Sequence, residues 1–220
     1  MEMRPPPRAG HGGIDSFAGG GDQGRLPGGA RECLPGGGQG GALPLDKWLA
    51  GYIRDVRDHP YPGVLFKDYA ALLAEPAAFT ALVDALADVC DRRGATRVVG
   101  LEARGFLLGA PVAVRCGLGF TAIRKRGKLP GKTLRRVYEL EYGTDEFELQ
   151  CDVLGPKDRV VVVDDVLATG GTALAAASLV AEAGATVVGV AFMLELRALS
   201  GRRRLARDLD GVSVDAVINA

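Results

Sequence analysis

Histidine and tryptophan are scarce in this 220-residue chain: there are two histidines, His11 and His59, and one tryptophan, and aromatics make up 6%. Two histidines so far apart argue against a histidine-built metal site. The four cysteines, Cys33, Cys90, Cys116 and Cys151, stand too far apart for the CxxC pairs of a zinc site or a redox motif. Four in this length do not make a disulfide scaffold either, so we expect reduced thiols in a cytoplasmic protein. Net charge is lacking as well, because 27 basic residues balance 27 acidic ones. A chain with no global basic field is a poor nucleic-acid binder. No apolar run nears the roughly 18 residues that cross a bilayer. We therefore expect neither nucleic acid nor membrane as a partner.

Glycine and proline are plentiful but unevenly placed. Residues 1–44 hold 14 of the 32 glycines and six of the 12 prolines. The apolar residues there are few and isolated, and none form the apolar stretch of a signal peptide. Such a segment buries too little surface to offset its ordering entropy. We read residues 1–44 as a disordered leader without chemistry and residues 45–220 as one folded domain.

The pattern changes at Leu45. Leu45, Trp48, Leu49, Tyr52, Ile53 and Val56 recur at helical spacing, which predicts an amphipathic helix over 45–56. His59-Pro60-Tyr61-Pro62-Gly63 breaks it. A second helix is expected with Pro76 in its first turn and Phe79, Leu82, Val83, Leu86, Val89 and Cys90 on one face. Strands are expected at Arg97–Leu101, Phe120–Ile123, Arg159–Val163 and Thr186–Leu194, with helices at Gly105–Arg115 and Thr172–Ala183. Alternation at this period predicts an α/β fold: an open parallel sheet flanked by helices on both faces. The rhythm fails between Ile123 and Arg159. That interval is polar and charged, with short alternating runs near Val137–Tyr142 and Phe147–Leu149, and we expect a hairpin that serves as a mobile flap.

The most informative segment runs from Val160 to Thr172. Four consecutive valines mark a strand buried on both faces. They lead into Asp164 and Asp165, and then into the loop Ala168-Thr169-Gly170-Gly171-Thr172, which opens a helix. Ligands of open α/β sheets bind at the carboxyl ends of the strands. The loop offers backbone N–H groups, two hydroxyls and a helix N-terminus to an anion, and its glycines permit close approach. The lysine of a nucleotide-binding GxxxxGK[ST] loop is missing. Two carboxylates beside a phosphate cradle suit sugar hydroxyls or a hydrated magnesium ion. A sugar phosphate fits both halves.

At these residues the chain resembles the type I phosphoribosyltransferases. Four further segments resemble the adenine phosphoribosyltransferases within that group: Tyr61-Pro62-Gly63-Val64-Leu65-Phe66-Lys67-Asp68, Gly100 to Phe106, Ile123 to Gly131, and Leu140-Glu141-Tyr142-Gly143. The resemblance runs from about Leu45 to Leu205 and omits the leader. It implies that Ala168, Thr169, Gly170, Gly171 and Thr172 hold the 5-phosphate of phosphoribosyl pyrophosphate, and that Asp164 and Asp165 lie along the ribose hydroxyls. It implies that Arg104, with an unusual backbone at Glu102–Ala103, contacts pyrophosphate together with Arg124, Lys125 and Lys128. It implies that Leu65, Phe66 and Lys67 recognise adenine, with a lysine where relatives often carry arginine. Part of the basic cluster reaches the partner's site in that family, which implies a homodimer.

The residues carry parallel physical readings. Four cations in five residues, Arg124 to Lys128, suit a highly charged anion. Phe66 suits stacking on a purine. Glu141, in the flap between Tyr138 and Tyr142, is the best acid/base candidate, since an apolar lid raises a carboxyl pKa towards neutrality. The implied reaction is transfer of ribose 5-phosphate to N9 of adenine, giving AMP and pyrophosphate. The implied cofactor is Mg2+, held mainly by substrate and water. A transferase for another purine, a non-catalytic sensor of the same donor and a donor-binding assembly protein are the alternatives.

Overall fold

The computed structural model describes residues 43–139 and 144–220. The expected leader thus lies outside the described residues except for Leu43 and Pro44. The chain then builds α1 (Leu45–Ala50), β1 (Arg54–Arg57), β2 (Leu65–Asp68), α2 (Ala70–Ala74), α3 (Pro76–Arg93), β3 (Arg97–Leu101), α4 (Arg104–Cys116) and β4 (Gly119–Lys125). It continues through β5 (Thr133–Glu139), β6 (Thr144–Gln150), β7 (Arg159–Leu167), α5 (Gly171–Glu182), β8 (Thr186–Glu195), a 3-10 turn at Arg197–Leu199, α6 (Gly201–Asp208) and β9 (Ser213–Asn219).

Seven strands form one sheet in the order β5-β6-β4-β3-β7-β8-β9. The five from β4 to β9 pair in parallel. The β5–β6 hairpin adds to β4 in antiparallel fashion, so the expected parallel sheet is a mixed one. β7 is the middle one of the five parallel strands, between β3 and β8. Its alternating side chains divide the interior. Val161 and Val163 face a layer made with α1, α3 and α4, and Val160 and Val162 face one made with α5 and Leu205 of α6. Period-2 alternation on a strand covered on both sides produces that division.

α3 forms where expected for local reasons. Pro76 occupies its first turn, the Glu75 side chain accepts the Ala77 N–H at 3.4 Å, and Gly94 ends it at φ +59°. The first helix departs from expectation, since α1 ends at Ala50 and Arg54–Arg57 is a strand. Tyr52 and Ile53 pack on the core from the turn after the helix, so the apolar spacing outlasts the helical backbone. β1 and β2 pair antiparallel, Val56 opposite Phe66, as a small separate sheet. β7 also departs from expectation. It runs through both aspartates to Leu167 instead of ending at Val163.

Candidate functional site

Both aspartates lie within the last four residues of β7. Asp165 is buried, 4% exposed, and its Oδ2 accepts the Tyr69 hydroxyl at 2.8 Å. The same oxygen faces the Arg104 Nε at 2.8 Å. Asp164 is half-buried, and its Oδ1 accepts the backbone N–H of Asp165 at 2.9 Å. Burial, and then the neighbouring Asp165 charge, push the Asp164 carboxyl well above the usual carboxylate range. Burial and Asp165 likewise push the Tyr69 phenol up, so Tyr69 stays a proton donor to that carboxylate. Gly105 at the start of α4 lets this helix approach: a Cβ there would stand 2.8 Å from the Val163 carbonyl and 2.9 Å from Asp164 Oδ1.

After Leu167 the chain turns through Ala168, Thr169 and Gly170 into α5. Gly170 has φ +82°, a conformation that other residues adopt only at a cost, and no side chain caps the helix. The first-turn N–H groups of α5 are thereby left to an anion. Gly170 and Gly171 are buried, while Ala168, Thr169 and Thr172 are half-buried at the rim.

Arg104 joins two expected site residues, Asp165 and Phe66, to Tyr69. Besides Asp165, its guanidinium lies 5.6 Å from the Phe66 ring centre and 5.8 Å from that of Tyr69. The Glu102–Ala103 peptide just before it is cis, which matches the unusual backbone expected there. Lys67 pairs with Asp55 across the small sheet at 2.7 Å, and Leu65 is 48% exposed. His59 meets Phe66 edge-on with ring centres 5.0 Å apart.

The basic cluster is organised by carboxylates. Glu102 accepts Arg124 Nη2 at 3.0 Å and the Lys125 backbone N–H at 2.8 Å. Burial pulls the Glu102 carboxyl up, but Arg124 and the Lys125 N–H outweigh it and hold the group below its ordinary value. Arg124 also donates to the Lys128 carbonyl at 3.2 Å, while the Lys128 side chain is exposed. Lys125 Nζ sits 2.8 Å from Asp145 of β6 and holds that carboxyl low. The Gly127 N–H donates to the buried Glu148 at 2.9 Å. The loop after β4 is thus tied to the hairpin. Glu141 lies outside the described residues, in the sequence between β5 and β6.

Tyr69, Glu102 and Asp145 were not among the residues expected from sequence. Tyr69 follows directly on the Tyr61–Asp68 segment, and Glu102 lies within the segment that supplied Arg104, so adjacency was the available signal. Asp145 carries none, since its partner comes from another strand. Among the described residues, no three histidine, cysteine or acidic side chains converge as a metal cage. No described helix is long and apolar enough to cross a membrane.

A family model for the phosphoribosyl transferase domain matches residues 68–214. An adenine phosphoribosyltransferase of Streptomyces clavuligerus is 62% identical over 166 residues, covering 76% of this chain and 92% of that one. The crystal structure of adenine phosphoribosyltransferase from Rhodothermus marinus superposes with a TM-score of 0.75 at 44% identity, covering 80% of this chain and 98% of the other. The Saccharomyces cerevisiae enzyme, crystallised with adenine and an imino-altritol bisphosphate, gives 0.72 at 35% identity, covering 79% and 98%.

Proposed function

The chain belongs to the adenine phosphoribosyltransferase family, and from that membership we propose how its residues make AMP. The enzyme serves purine salvage: it transfers ribose 5-phosphate from phosphoribosyl pyrophosphate to adenine and releases pyrophosphate. One observation carries the assignment of roles. β7 delivers an aspartate pair directly beside the Ala168–Thr172 loop, with Arg104 bonded to Asp165 and resting near Phe66.

The loop takes the 5-phosphate on backbone N–H groups and the Thr169 and Thr172 hydroxyls. Asp164 and Asp165 accept the ribose 2- and 3-hydroxyls and favour positive charge as it develops on the ring. Arg104, Arg124, Lys125 and Lys128 take the pyrophosphate as it leaves. Arg104 exchanges Asp165 for a phosphate oxygen as the donor binds, which frees both the carboxylate and the Phe66 face. Phe66 then stacks on adenine, while main-chain groups of Leu65 to Lys67 read its edge; Lys67 itself is held by Asp55. Glu141 moves a proton at the purine, and the hairpin that bears it excludes water from the electrophilic sugar.

Magnesium fits this site as a passenger of the donor, with Asp164 and Asp165 near enough to bind its water shell, since no closed cage of protein ligands forms among the described residues. Bound there it supplies charge neutralisation of the leaving group. A second copy of the chain covers the face of α4 that leaves Leu107 52% and Val114 81% exposed, and a monomer mass by sedimentation would reject that dimer. A cytoplasmic location follows from the same reading.

The deciding assay mixes the purified chain with magnesium, phosphoribosyl pyrophosphate and one base at a time, and follows pyrophosphate release. Adenine alone supports turnover on this reading. Turnover with hypoxanthine, guanine or xanthine instead rejects the base pocket, and donor binding without turnover rejects catalysis.

A further inference from the structure

Beside the phosphate loop lies a cationic cleft that the proposed reaction leaves unused. Thr169, Leu199, Ser200, Arg203, Arg204 and Arg207 line it. α6 is seated firmly on the loop: Gly201 packs against the Ala168 carbonyl so closely that a Cβ there would overlap it. Leu205 is buried, and a Cβ at Gly170 would stand 3.3 Å from its side chain.

The four arginines of α6 do not have equal work within the fold. Arg202 is taken by the buried Glu195, with Nε 3.0 and 2.9 Å from the two carboxylate oxygens. Arg207 lies against Asp208, exposed, at 2.6 and 2.9 Å. Arg203 and Arg204 make neither an ion pair nor a side-chain hydrogen bond among the described residues. Arg204 is nevertheless half-buried. Its guanidinium nitrogens still reach water, so these donors stand free for an anion that enters the cleft. Arg203 and Arg207 are four residues apart, so they share a helix face about 6 Å apart along the axis. Donors from Arg203, Arg204 and Arg207 are spread along the cleft, and linked phosphates meet more of them than a single phosphate does.

We propose that this cleft binds an oligophosphate chain, inorganic or carried by a nucleotide, alongside the loop that takes ribose 5-phosphate. The proposal goes beyond the transferase reading, because the cleft lies on α6 and contains no residue assigned to the reaction except Thr169 at its edge.

Titration calorimetry on the full chain tests it, with phosphoribosyl pyrophosphate and magnesium saturating and no base present. Inorganic tripolyphosphate as its magnesium salt is the first probe. One equivalent binds the loaded wild-type chain, and Arg203→Gln with Arg204→Gln weakens it at least tenfold while kcat and KM for the transferase reaction are kept. ATP bound with the same dependence on the two arginines supports a nucleotide-borne chain, and tripolyphosphate binding without ATP binding supports an inorganic one. Failure of tripolyphosphate to bind the loaded chain, undiminished binding by the double variant, or orthophosphate binding as tightly as tripolyphosphate overturns the proposal. If the donor itself fails to bind, the transferase reading falls, and the same titrations without it still judge the cleft through the arginine pair.

Discussion

Replacing Tyr69 by phenylalanine removes a single oxygen from the centre of the site. The ring that faces Arg104 is retained, and only the 2.8 Å bond to Asp165 goes. Asp165 is 4% exposed, and its other partner Arg104 has a side chain 47% exposed, so solvent competes for the arginine but not for the phenol. A buried hydrogen bond to a charged acceptor contributes about 1.5–3 kcal/mol. We expect a loss of about 2 kcal/mol in urea unfolding, and a Tm lower by roughly 4–8 °C for a domain of this size. The effect carries a pH signature. The folded state holds the phenol proton more tightly than the unfolded chain does, because burial and Asp165 raise its pKa. The contribution is therefore complete below the unfolded tyrosine value of about 10 and is lost as pH rises past it. The gap between wild type and Tyr69→Phe closes in that alkaline window. Tyr138, whose phenol is also raised, is present in both proteins and drops out of the difference. A gap below about 0.5 kcal/mol at neutral pH would refute the claim that Tyr69 holds this carboxylate.

Asp164→Asn separates function from stability. The raised pKa of Asp164 means its contribution is present below the unfolded value near 3.9 and lost as pH rises to the folded one, so at pH 7 the charge opposes folding. We expect a higher Tm by calorimetry together with kcat/KM reduced about 100- to 1000-fold; a lower Tm rejects the electrostatic account. Gly105→Ala forces a methyl against the Val163 carbonyl and Asp164 and costs about 1–3 kcal/mol, and an unchanged urea midpoint shows that α4 can shift freely. Glu141→Leu slows single-turnover AMP formation by about 100- to 10,000-fold if Glu141 moves the proton, whereas equal rates leave it a structural residue.

The sequence disclosed the parts of the fold whose cause is local. The four valines of β7, the Pro76 start and Gly94 stop of α3, and the Thr/Gly loop each act through neighbours in the chain. Asp164 and Asp165 suggested a strand end because charged residues are rarely buried. The strand continues because Val166 and Leu167 still pair with Leu194 and Glu195 of β8, and because Tyr69, 96 residues away, meets Asp165. α6 escaped notice for the opposite reason. Its eight residues contain four arginines, and only Gly201 and Leu205 are buried, so no apolar period announces a helix. β9 was equally silent, since most of its residues are only half-buried at the sheet's edge. For the site, sequence named the cations, while the carboxylates that hold them come from other segments: Glu102 lies 22 residues before Arg124, and Asp145 lies on β6.

That pairing changes what the cations imply for binding. Arg104 faces Asp165, Arg124 faces Glu102 and Lys125 faces Asp145. When pyrophosphate arrives, each swaps one oxyanion for another instead of shedding a cloud of counter-ions. The affinity for the donor should then fall with ionic strength less steeply than four positive side chains acting on a bare anion would require. A shallow salt dependence would be the thermodynamic trace of a site whose charges are matched before its substrate comes.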